Sequence, residues 1–90
     1  MESRIAAVSI IVENPDAVEK LNNILHEYNR YIIGRLGIPY RQRGISIICV
    51  VLDAPNEVIS ALSGKLGMLP QVTAKAVYSK VFTTDEANGN

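Results

Sequence analysis

The segment "IIVENPDAV" at residues 10–18 has a close counterpart in "VVLDAPNEV" at residues 50–58. Each copy ends an apolar run with an acidic residue and then places a proline, an Asp or Asn and a valine at the same spacing. Proline is common in the first turn of a helix, so a proline soon after a strand indicates that a helix begins there. The repeat therefore predicts two related strand–helix halves.

The rest of the pattern extends these halves to a complete fold. Four segments rich in apolar or β-branched residues predict strands, namely residues 4–12, 30–38, 45–53 and 71–80. Two segments with apolar residues at helical spacing predict helices, namely residues 13–29 and 54–67. The order βαββαβ predicts an α+β, ferredoxin-like sandwich, with a four-stranded antiparallel sheet and both helices on one face.

Length and composition set the general class of protein. Ninety residues suffice for one domain, which we predict over residues 1–80, followed by a polar, disordered tail at 81–90. Nine basic residues balance nine acidic ones, so a general nucleic-acid binder is not expected. A single cysteine, no signal-peptide pattern and no long apolar run predict a cytoplasmic protein without a membrane contact.

The two central strands are apolar on both faces. One face would carry Ala6, Val8, Ile10 and Val12 with Ile48, Val50 and Leu52, and the other Ile5, Ala7 and Ile11 with Ile45, Ile47, Cys49 and Val51. Helices on one side cover one of these sets. Because soluble monomers rarely keep a large apolar patch exposed, we predict a homo-oligomer, either a dimer or a tetramer.

The stretch "RLGIPYRQRGIS" at residues 35–46 concentrates three arginines and a tyrosine near a turn. Arg35, Arg41 and Arg43 have the chemistry to bind phosphate or carboxylate, and Tyr40 to stack on a ring. The alternative is a solvated hairpin, with Pro39 and Gly44 setting the turn.

Polar residues also mark both strand-to-helix junctions, namely Glu13, Asn14, Asp16, Asp53 and Asn56. They have the chemistry to orient a small anion at free backbone N–H groups, or else they are helix caps and first-turn acids.

The sequence contains no motif typical of a metal site or of a catalytic site. His26 and Cys49 are the soft metal ligands, and neither belongs to a paired-ligand motif, so no metal site is predicted within one chain. No serine or cysteine lies near a histidine in a recognisable pattern, and no phosphate loop is present. The protein is therefore predicted not to be an enzyme, and the residues indicate no particular cofactor.

Three segments, "VSIIVEN", "IIGRLGIPYRQRGISII" and "DAPNEVISALSGKLG", together resemble the iron-only hydrogenase system regulators, a family of small ACT-like proteins. The resemblance implies a ferredoxin-like fold related to ACT regulatory domains and to the C-terminal domain of the nickel-responsive repressor. Both relatives are oligomeric ligand-sensing modules. The family name implies a role near hydrogenase expression or maturation.

The sequence departs from these relatives in ways that limit which of their binding properties apply to it. The turn "ENPDA" lacks the glycine of amino-acid-binding ACT domains, the sequence does not have the several histidines of the nickel site, and we expect no separate DNA-binding domain. We therefore expect a non-enzymatic regulatory module that senses a small ligand at a subunit interface. Its candidate ligand-binding residues are Glu13, Asn14, Arg35, Tyr40, Arg41 and Arg43. The alternative is an adaptor that binds protein, or nucleic acid with the help of a partner protein, through the arginine hairpin.

Overall fold

A computed structural model describes residues 2–83, with side chains to residue 80. The strands are β1 (Ser3–Val12), β2 (Ile32–Tyr40), β3 (Ile45–Ala54) and β4 (Val72–Thr83), and the helices are α1 (Val18–Glu27) and α2 (Asn56–Gly67). Short 3₁₀ turns lie at Pro15–Ala17, Asn29–Tyr31 and Arg41–Arg43. Within the described residues no helix has the length and apolar character that crossing a membrane requires.

The four strands form one sheet in the order β2-β3-β1-β4, and every neighbouring pair is antiparallel. The two most apolar strands, β1 and β3, are therefore central, as the sequence predicts. Since each helix connects two strands that have a third strand between them, the chain forms two interleaved βαβ halves. This confirms the predicted ferredoxin-like α+β fold.

Both helices pack on the same face of the sheet. That face buries Val8 and Ile10 of β1 and Val50 of β3 against Leu21 of α1 and Leu62 of α2. A smaller cluster of Ala6, Ala54 and Ile59 continues the core toward the other end of the sheet. The strand residues on this face are the first of the two sets that the sequence predicts.

Two boundaries, the end of β2 and the end of β4, differ from the sequence prediction in ways that matter for the site. Pro39 lies inside β2 rather than in the turn, because β2 is an edge strand that tolerates a residue without an N–H group. The turn itself depends on Gly44, which has a φ of 64°. Strand β4 continues to Thr83, into the segment predicted as a tail, and residues 84–90 of that tail lie outside the described residues.

Candidate functional site: an open sheet face and an adjoining groove

The side of the sheet that the helices do not cover is called here the open face. In register, its rows run Leu36–Cys49–Ser9–Lys75, Ile38–Ile47–Ile11–Thr73 and Gly34–Val51–Ala7–Val77. Tyr40 and Ile45 extend it at one end, and Ile5 and Asp53 extend it at the other. The second apolar set predicted from the central strands thus lies on one surface.

This surface exposes large apolar side chains. Leu36 is 61% exposed, Val77 68% and Ile47 41%, and Ile5, Ile11, Ile38 and Tyr40 are exposed as well. Single exposed hydrophobic residues are ordinary on a protein surface, whereas a contiguous group of this kind marks an interaction site.

On the opposite side of the sheet, β2 extends beyond the helix layer. The two core clusters draw their buried residues from β1, β3, β4 and the helical segments, and no residue of β2 is buried. The β2 positions that face the helices are Arg35, Gly37 and Pro39, which pair with Val50, Ile48 and Ser46 of β3. Because these residues supply little apolar bulk, a groove remains between α1 and β2.

The α1–β2 groove consists of two adjoining depressions of about 190 and 210 Å³. Val18, Pro39 and Ser46 line both of them. The first depression continues over Val12, Pro15, Tyr40, Arg41, Gly44 and Ile45, and the second over Asn22, Arg35, Gly37, Ile38 and Ile48. The floor is thus mainly apolar, and the polar groups lie at the two ends and at the junction.

The polar side chains that line the groove are either positively charged arginines or uncharged residues. Arg35 Nη2 donates to Asn22 Oδ1 at 3.1 Å, which holds this guanidinium at one end of the groove. Arg41 lies at the other end, and Ser46 lies between them. Among the described residues, no aspartate or glutamate lines either depression. The groove is therefore positively charged at both ends.

Three of the predicted ligand-binding residues meet at this groove. Arg35 reaches it from the middle of β2, Tyr40 from the end of β2, and Arg41 from the 3₁₀ turn that follows. Arg43 lies two residues further along the same turn and lines neither depression. The three hairpin arginines thus do not converge on one point.

Glu13 and Asn14 lie beside the groove rather than in it. The Glu13 N–H donates to the Gln71 carbonyl at 2.9 Å, and Asn14 Oδ1 accepts from the Asp16 N–H at 3.0 Å. Asn14 thus caps the 3₁₀ turn before α1, which is the capping alternative considered above. Asp53 and Asn56 belong to the opposite end of the sheet, because β1 and β3 are antiparallel, so the two junctions form no common site.

The two soft metal ligands lie on different layers of the molecule. His26 is an exposed residue of α1, whereas Cys49 is a half-buried residue of the open face. The sheet therefore separates them, and the described residues contain no cluster of three or more metal-ligating side chains.

A charged contact joins the ends of the two helices, away from the groove. Lys65 Nζ lies 5.2 Å from the centroid of the Tyr28 ring and 3.8 Å from Glu27 Oε2. The polar contact with Tyr28, followed by attraction to Glu27, raises the pKa of Lys65 above its ordinary value of 10.5.

The groove also contains three polar or small residues that the sequence does not single out as ligand-binding, namely Asn22, Gly37 and Ser46. The alternation Arg35-x-Gly37-x-Pro39 is a period-two signal, since it leaves one side of a strand without apolar bulk. That signal predicts a strand that the helices cover poorly. The pairing of Asn22 with Arg35 has no comparable signal, because it depends on how α1 lies over the sheet.

The topology and the two-sided sheet define a ferredoxin-like α+β domain. The family model described as "TM1266-like: Iron-only hydrogenase system regulator, putative" matches residues 4–76. The chain belongs to this family.

Two solved structures are similar to the chain. The structure of "uncharacterized protein TM1266 from Thermotoga maritima" is 37% identical, with a TM-score of 0.83, over 87% of this chain and 99% of that one. A formyltetrahydrofolate deformylase from Pseudomonas putida KT2440 is 13% identical, with a TM-score of 0.60, over 81% of this chain and 28% of that one. The second likeness shows the fold alone. No curated protein matches the chain.

Proposed function

We propose that this protein is a non-enzymatic regulatory module that works as a homo-oligomer and senses a small ligand at a subunit interface. The family description supports a role in the iron-only hydrogenase system, in its expression or maturation. The main support for a homo-oligomer is the contiguous apolar surface of the open face.

A second copy of this chain is the occupant that fits the open face. In a dimer with two-fold symmetry, the same patch meets itself, so it must complement itself. The two central strands place Ile11 beside Ile47 on this face, while Lys75 on the edge strand β4 and Asp53 near the end of β3 provide opposite charges toward its margins. An interface with an apolar centre and a charged rim has the usual anatomy of a stable protein–protein contact.

The position of the α1–β2 groove supports ligand sensing at such an interface. Ile38, Tyr40 and Ile45 belong to the open face by their register and also line the groove. A ligand that orders β2 from the groove side would therefore alter the surface offered to the second copy. By linkage, self-association would change the affinity for the ligand by the same factor.

The oligomer is tested by molar mass in solution, from light scattering or sedimentation at micromolar concentration. The wild type is expected to be a dimer or larger, and Ile47→Lys to be a monomer, because a lysine on this central strand of the face would bury an unpaired charge in the interface. Met68→Lys is the matched control, since Met68 is 84% exposed at the end of α2, on the helix side.

A monomeric wild type would contradict the proposal, as would equal effects of the two lysine variants. Native mass spectra of protein purified gently from its source cells test the ligand. A retained small-molecule adduct on the oligomer supports sensing and gives the ligand's mass, whereas an oligomer that never carries an adduct contradicts it.

A further inference from the structure

We infer that the α1–β2 groove is a binding site for a small organic anion, with a carboxylate or phosphate held by arginine and an apolar body lying along the groove. The inference rests on the proposed ligand-sensing function and adds to it the site and the chemical class of the ligand. It is carried by the charge and shape of the groove.

The charged ends of the groove favour an anion. Guanidinium groups donate bidentate hydrogen bonds to carboxylate and phosphate, and Arg35 and Arg41 place one such group at each end. Among the described residues, neither arginine has a carboxylate within 4.0 Å. Their charges are therefore available to a ligand rather than neutralised within the protein.

Arg35 is partly organised for this task before any ligand binds. Its Nη2 donates a hydrogen bond to Asn22 Oδ1 at 3.1 Å, and the guanidinium donates no other hydrogen bond to the described residues. A side chain already held in place loses less conformational entropy when it binds. Ser46, at the junction of the two depressions, has a hydroxyl without a protein partner in the described part of the chain and is a further donor.

The floor of the groove favours an apolar body of modest size. Val18 and Pro39 line both depressions, and the buried Ile48 lies beneath the second. Sites for drug-sized ligands are usually about 300–1,000 Å³, so depressions of 190 and 210 Å³ suit a smaller molecule. The two arginines make a cation an unfavourable occupant, since no acidic residue in the described part of the chain lines the groove to offset their charge.

The test uses benzoate and phenyl phosphate as probes, with benzamide as a neutral analogue of benzoate. Titrations are followed by the backbone amide signals of Gly37, Gly44 and Ser46 in nuclear magnetic resonance spectra. Both anions are expected to shift these signals, and benzamide is expected to bind about tenfold more weakly, as the loss of a charge-assisted hydrogen bond predicts. Whichever anion binds more tightly shows whether a carboxylate or a phosphate is preferred.

Three variants make the test specific. Arg35→Gln and Arg41→Gln are each expected to weaken anion binding about tenfold. Arg43→Gln removes the same charge from the same hairpin but lines neither depression, so its affinity is expected to equal that of the wild type. Absence of shifts at the groove, equal binding of benzamide, or an equal loss in Arg43→Gln would overturn the inference.

The same titration on Ile47→Lys separates this site from the proposed oligomer. Ile47 lies on the open face and does not line the groove. If the wild type binds the anion but is a monomer, the anion site is supported and the proposed oligomer interface is refuted. A wild-type oligomer without anion binding would refute the site and preserve the interface.

Discussion

Arg35 and Asn22 join the edge strand to the first helix through a hydrogen bond of 3.1 Å between Nη2 and Oδ1, across 13 positions of the sequence. Both residues are exposed, so solvent screens this contact. It is a link between α1 and a strand that contributes no buried residue to the core. The bond therefore positions the groove more than it stabilises the fold.

A double-mutant cycle of Asn22→Ala and Arg35→Ala tests this distinction. Each single change is expected to lower the free energy of unfolding by less than about 1 kcal/mol, with a coupling energy of about 0.5 kcal/mol. Urea unfolding of the four proteins measures both quantities. A coupling energy above about 2 kcal/mol would be the value of a buried network and would contradict this description.

The same substitution, leucine to alanine, is compared at the buried Leu21 and at the exposed Leu36. Leu21 is fully buried, so Leu21→Ala is expected to cost about 2–5 kcal/mol of unfolding free energy at every protein concentration. Leu36 is 61% exposed on the open face, so Leu36→Ala is expected to cost little in a dilute monomer.

Unfolding at several protein concentrations distinguishes the two cases. If the open face associates, Leu36→Ala also reduces the dependence of stability on concentration, because oligomer and monomer are linked by mass action. A loss of several kcal/mol from Leu36→Ala in the dilute monomer would show that the face is packed within one chain.

Two glycines are expected to respond to alanine with opposite signs. Gly44 has a φ of 64°, so Gly44→Ala is expected to destabilise the protein by about 1 kcal/mol, the cost of left-handed backbone. Gly64 lies inside α2 with an ordinary helical backbone, so Gly64→Ala is expected to stabilise it by about 0.5–1 kcal/mol.

No heavy atom lies within 4 Å of an added Cβ at either glycine, so the backbone alone decides the sign. Thermal or urea unfolding of the two single variants measures the effect. Stabilisation by Gly44→Ala would contradict the turn geometry, and destabilisation by Gly64→Ala would contradict its place in an unstrained helix.

The contact of Lys65 with Tyr28 and Glu27 is expected to depend on pH at the alkaline end. The folded state raises the pKa of Lys65 above 10.5, so the folded state binds the proton more tightly than the unfolded state. The resulting stability is fully present below pH 10.5 and is lost as the pH rises through the folded-state pKa.

Comparison with Lys65→Met isolates this effect, because methionine retains an apolar stem but carries no charge. The difference in unfolding free energy between the two proteins is expected to be constant from neutral pH to about pH 9 and to shrink above pH 10.5. A difference that grows with alkaline pH would have the wrong sign and would reject the assignment.

Much of the architecture follows from local pattern. The repeat at residues 10–18 and 50–58 predicts two strand–helix halves, and the structure places both as predicted. The ends of the helices and strands are predicted less accurately than their order. The residue pattern predicts Pro39 in the turn, since proline is a frequent turn residue, whereas the structure places it on an edge strand, where its missing N–H group is tolerated.

The candidate site was only partly predictable. Side-chain chemistry predicts six ligand-binding residues. Three of them, Arg35, Tyr40 and Arg41, line one groove, whereas the other three, Glu13, Asn14 and Arg43, lie outside it. Residue type indicates which side chains are able to bind an anion. It does not indicate which of them share a cavity, since that depends on segments far apart in the chain.

The residue pattern of the two central strands is enough to show that they are apolar on both faces, because successive side chains of a strand point to opposite sides. How α1 lies over the sheet, and hence that Asn22 meets Arg35 at the groove, is known from the three-dimensional packing alone. That outcome depends on the packing of Leu21 and Leu25 in the core with residues of β1 and β3, which no local pattern encodes. That packing brings Arg35 and Arg41 to the two ends of one groove and sets the groove beside the open face.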